Sequence, residues 1–93
     1  MEFMSNVEIV AHALRDYVRP HVDGVSLLYI DDALFAGEPF EALTTAIAIA
    51  VSNEVALPPV CIDAVLAVDG YDEIDREFLA TALPLLPKWS MVA

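Results

Sequence analysis

The sequence predicts an all-α fold, a compact bundle of four to five short helices. Three observations lead there. Apolar residues recur at helical spacing along most of the 93 residues, Pro and Gly punctuate the chain at short intervals, and no convincing run of strands remains. The length suits one domain. It is expected to span 4–93, with 1–3 a cloning scar (Glu2-Phe3 is what a common restriction site encodes) and 85–93 a tail.

Ser5-Asn6-Val7-Glu8 has the form of a capping box, in which a hydroxyl accepts from a free helix N–H and Glu8 reaches back. Val7, Val10, Leu14 and Tyr17 follow at helical spacing, so a first helix is predicted over Asn6 to Val18, ended by Pro20. His21 to Gly24 is expected to turn. Ser26 to Ala36 is then helical, with Leu27, Leu28, Ile30, Leu34 and Phe35 covering one face and part of a second, and Gly37 serving as a left-handed terminator.

Pro39 suits the first turn of a third helix, and Glu38 and Glu41 favour its positive end. Phe40, Leu43, Ile47, Ala50 and Val51 form its stripe. The Ala46–Val51 segment also alternates with period two. Alanine at every second place makes a poor strand face and a good helix, so a helix is expected here. Its nearly uncharged surface from Ala42 marks it as the central element. A fourth segment starts at Leu57-Pro58-Pro59, with Val60, Ala64, Val65 and Val68 inward. Asp72 is the expected N-cap of a fifth helix, with Asp75 at its third position and Ile74, Phe78, Leu79 and Ala82 inward as far as Pro84. Pro87 and Trp89 are expected to fold back as a latch.

Composition narrows the function. Fifteen acids face four bases, a formal net charge of −11. Four cations cannot neutralise a phosphate backbone, so direct nucleic-acid binding through a basic groove is excluded. A single Cys61 excludes a disulfide scaffold. The longest uncharged stretch, Ala42 to Asn53, falls short of the about 20 apolar residues that a membrane span needs. No secretory signal pattern is visible, so a cytoplasmic location is expected. Hydrophobic residues make up 58% of the chain, an excess that either reflects many alanines or supplies a protein interface.

No catalytic or metal motif stands out. His12, His21 and Cys61 lack paired zinc-ligand spacing. Asp69-Gly70-Tyr71-Asp72 misplaces the glycine of a calcium loop. Asp31 and Asp32 are neighbours that a helix points about 100° apart, which does not suit acid–base work on one atom. A non-enzymatic protein without cofactor or metal is expected. The acids themselves form two groups: Asp69, Asp72, Glu73, Asp75 and Glu77, and Asp31, Asp32, Glu38 and Glu41. Crowding of this kind costs stability through self-repulsion. It serves either solubility or a basic partner.

Cys61-Ile62-Asp63-Ala64-Val65-Leu66-Ala67-Val68-Asp69-Gly70-Tyr71-Asp72, continuing to Glu77-Phe78-Leu79, resembles one stretch of the small helical immunity proteins of the colicin D type. That resemblance implies an inhibitor whose acidic turn and helix cover the basic, RNA-binding site of a toxic nuclease. It matches Asp69, Asp72, Glu73, Asp75 and Glu77 to the acidic segment. The expected partner is therefore a basic protein, a toxin nuclease domain, met by these residues together with Asp31 and Asp32 and with Tyr71 as a central anchor. Three other classes stay open: a DNA-mimicking antitoxin or phage inhibitor, a module that self-associates, as a homodimer, through Ile49, Trp89 and the tail, and an enzyme of an unrecognised kind.

Overall fold

The computed structural model describes residues 5–90, and the expectations for 1–3 and for the end of the tail lie outside them. Five α-helices run in order: α1 Asn6–Val18, α2 Gly24–Phe35, α3 Pro39–Ser52, α4 Pro59–Ala67 and α5 Glu73–Ala82. Single turns of 3-10 helix follow α1 (Arg19–His21) and α5 (Leu83–Leu85), and no strand occurs among the described residues. The all-α bundle is thus the observed architecture.

α1 has the predicted ends. Glu8 N–H donates to Ser5 Oγ at 3.3 Å, and Ser5 N–H donates to Glu8 Oε1 at 3.3 Å, closing the capping box. Val7, Ala11, Leu14 and Val18 are buried. α2 begins two residues earlier than the sequence suggests, because Asp23 caps it: its Oδ1 accepts from Ser26 N–H at 2.7 Å. That bond holds the Asp23 carboxyl below its ordinary range.

α3 is the hub. It packs on α1, α2 and α5, and it buries Ala42, Leu43, Ala46, Ile47 and Ala50. Its alanines are what let the neighbouring helices approach. The same helix-ending motif then occurs twice. After α2, Glu38 N–H donates to Ala33 O and Gly37 N–H to Leu34 O, with Gly37 at φ 75°. After α3, Val55 N–H donates to Ala50 O and Glu54 N–H to Val51 O, but the left-handed place is held by Glu54 at φ 54°. The first copy delivers Glu38 directly to the start of α3.

Two inward assignments are corrected. Val60 is 71% exposed, because it precedes the buried Val65 by five residues and so lies about 140° round α4 from it. Ile74 is 76% exposed. The rest of the α5 stripe lies inward as expected: Leu79 and Ala82 are buried, and Phe78 is half-buried against the core. α2 divides its apolar residues between two sides. Ile30 and Ala33 are buried, whereas Leu28 and Phe35 face outward. The tail does fold back: the Trp89 ring lies 6.2 Å from that of Tyr17, and with Leu57, Ile62 and Leu86 it borders one apolar groove.

Candidate protein-binding face

The turn from Asp69 to Asp72 decides where the acidic fifth helix points. Phe40, at the start of α3, stands edge-on to Tyr71 with ring centroids 5.6 Å apart. Gly70 allows the approach: a Cβ there would lie 3.1 Å from Phe40 Cζ, and its φ of 99° disfavours any side chain. The Tyr71 hydroxyl donates to Val65 O at 2.6 Å, and Arg76 Nη1 donates to Tyr71 O at 2.7 Å. Asp72 then caps α5, its Oδ1 accepting from Asp75 N–H at 2.7 Å.

This arrangement sets the N-terminal end of α5 beside the N-terminal end of α3. Glu38, Glu41 and Asp75 consequently share one open concavity of about 450 Å³, completed by Gly37, Pro39, Phe40 and Thr44. No cation among the described residues lines it. Asp75 is half-buried, and its carboxyl is pushed up from the ordinary range, first by that burial and then by the nearby Asp72. The two acidic groups recognised in the sequence therefore meet in space, through Glu38 and Glu41 from one and Asp75 from the other.

The remaining candidates are distributed unevenly. Asp69, Asp72, Glu73 and Glu77 are exposed around the start of α5. Tyr71 is half-buried with its hydroxyl committed to Val65, so only part of its ring is available as an anchor. Asp31 sits elsewhere, gripped by Arg15 Nε at 2.8 Å and Nη2 at 3.0 Å, which holds its carboxyl below the ordinary range. Asp32 is exposed on the outer side of α2. Asp31 and Asp32 thus do not join Glu38 and Glu41, although the sequence places all four close together. Sequence reasoning set Glu38 and Glu41 among the acids but chose neither for the site. The packing of α3 on α5, with Phe40 against the 69–72 turn, brings them to Asp75, and no spacing in the chain encodes those contacts.

Comparison with protein-family models, curated proteins and solved structures finds no match. Chemistry is then weighed from side chains alone. His12 and His21 are exposed, and burial pushes the half-buried Cys61 thiol up, away from the reactive thiolate. No group of His, Cys, Asp and Glu suited to a metal ion occurs among the described residues. No helix there is long and apolar enough to cross a membrane. What the face offers is carboxylates, grouped and held in place by a rigid turn.

Proposed function

We propose that this protein is a non-enzymatic inhibitor that occludes a basic protein partner, in the manner of an immunity protein neutralising a bacterial toxin nuclease in the cytoplasm. One observation carries the reading: Glu38, Glu41 and Asp75 converge on a concavity that no cation among the described residues lines. Carboxylates brought together at a cost in self-repulsion gain from a partner that supplies Lys or Arg. Asp69, Asp72, Glu73 and Glu77 extend the same negative field around the start of α5. In this mechanism the carboxylates take the places that RNA phosphates would occupy on the nuclease. The Asp-x-Tyr-Asp turn is the part that resembles immunity proteins of the colicin D type. Its role here is to aim α5 and its acids.

The test is affinity capture from cells of the source organism, using wild-type protein and the triple variant Glu38→Lys, Glu41→Lys, Asp75→Lys, with helicity checked by circular dichroism. The expected result is a basic nuclease retained by the wild type, lost by the variant, and silenced when wild-type protein is added to its RNA-cleavage assay. Equal retention by both proteins, or a retained partner without positive charge, would overturn the reading.

A further inference from the structure

The outer face of α2 is apolar without being covered. Val25, Leu28, Tyr29 and Phe35 are all well exposed, and Phe35 is 96% exposed at the very end of the helix. With Asp32 they fall at i, i+3, i+4, i+7 and i+10, a stripe about 120° wide on the side opposite Ile30 and Leu34. Scattered exposed apolar residues are ordinary on a surface, but a helical stripe of large ones gathered around a single carboxylate marks an interaction site. Ile30, Ala33 and the half-buried Leu27 and Leu34 already anchor α2 to the bundle, so the outer stripe adds nothing to the fold.

Charge decides what covers it. α2 contains two aspartates and no cation, Asp23 caps its start, and Glu38 follows its end. Asp31 is turned to Arg15, which leaves Asp32 as the outward charge within the stripe. A second copy docked face to face on a twofold axis would set apolar side chains together but also bring Asp32 and the flanking acids of both chains into one interface. At a net charge of −11 per chain, that pairing is opposed throughout.

We propose that the α2 stripe is the apolar contact for a cationic amphipathic surface on a protein partner, with Val25, Leu28, Tyr29 and Phe35 meeting its apolar side chains and a Lys or Arg among them reaching Asp32 at the middle of the stripe. This is the helix-in-groove mode of recognition, with anchors at helical spacing. It deepens the inhibitor reading and rests on it: the acidic concavity supplies attraction and orientation, and α2 supplies the buried contact that lengthens the lifetime of the complex.

The experiment uses the full chain and two labelled peptides of identical Leu and Lys composition, one with amphipathic helical order and one scrambled. Fluorescence anisotropy gives both affinities. The wild type is expected to prefer the ordered peptide by about tenfold, as burial of a few apolar side chains implies. Leu28→Ser, Tyr29→Ser and Phe35→Ser together should erase that preference with the helical content intact, and Asp32→Asn should weaken the ordered peptide several-fold. Glu38→Gln, Glu41→Gln and Asp75→Asn together should weaken both peptides alike and keep the preference.

A preference unchanged in the α2 triple variant, or absent in the wild type, overturns the proposal while leaving the concavity reading to its own capture test. So does sedimentation of the wild type alone as a dimer that the α2 triple variant dissolves, which would make a second copy the occupant. Capture of a basic nuclease that survives the α2 changes but not the concavity changes would likewise leave the inhibitor reading standing and sink this one.

Discussion

Arg15 on α1 grips Asp31 on α2 through both carboxylate oxygens, at 2.8 and 3.0 Å, and so spends one of the four cations inside the bundle. The pair ties α1 to α2 directly. It also shows how little positive charge is left to offset the acids elsewhere. Arg76 donates to the neutral Tyr71 carbonyl and keeps its positive charge.

Asp31→Asn is expected to lower the unfolding free energy by about 1 kcal/mol near neutrality, a figure held down by the partial exposure of the pair. The Asp31 carboxyl is held below 3.8 when folded, mainly by its bond to Arg15. Its stabilisation is therefore present above that value and lost as pH falls through the depressed folded one. Urea denaturation across the acid range should show a shallower loss in the variant than in the wild type.

Gly70→Ala is expected to cost about 2 kcal/mol, because an L side chain is strained at this positive φ. The new Cβ would in addition press on Phe40. Displacing Phe40 would separate Asp75 from Glu38 and Glu41, so the variant should lose thermal stability and partner affinity together.

The two helix-ending motifs predict opposite outcomes for reciprocal changes. Glu54→Gly should raise stability by about 1 kcal/mol, by relieving a left-handed non-glycine residue and removing a negative charge. Gly37→Ala should lower it by a similar amount, since Gly37 holds the same place at φ 75°. Thermal melts of the two variants beside the wild type are sufficient to check the signs.

Tyr71→Phe should change the alkaline limb. Burial pushes the Tyr71 hydroxyl up from 10.0 to about 12, so the folded state favours its neutral form. The associated stability is intact below the unfolded value and is lost as pH rises through the folded one. The variant, lacking the hydroxyl and its bond to Val65 O, should be about 1 kcal/mol less stable at neutrality. It should also lose less on the way to high pH, as measured by chemical denaturation.

Much of the fold was legible because the helix signals are local. Ser5 with Glu8, Asp72 with Asp75, and Gly37 after Phe35 each announce an end within four residues. Periodicity identified all five helices and most of their inward residues, but it misplaced the first apolar residue of two, since Val60 and Ile74 stand on the outer side. The outward half of α2 was foreshadowed by an apolar pattern too wide for one face. The candidate site was less legible. Its acids were visible, but the separation of Asp31 and Asp32 from Glu38 and Glu41, and the union of the latter with Asp75, follow from contacts between α1 and α2 and between Phe40 and Gly70. Those contacts join residues far apart in the chain and leave no trace in local spacing.

The central claim is that this negative face exists to meet a cationic protein surface. Stopped-flow association with the captured partner, over a salt range from about 0.02 M to about 0.5 M, tests it most directly. The account predicts that the association rate constant falls by about tenfold or more as salt rises, and that the Glu38→Lys, Glu41→Lys, Asp75→Lys variant is slow and insensitive to salt throughout. A wild-type rate that stays constant over that range would contradict it.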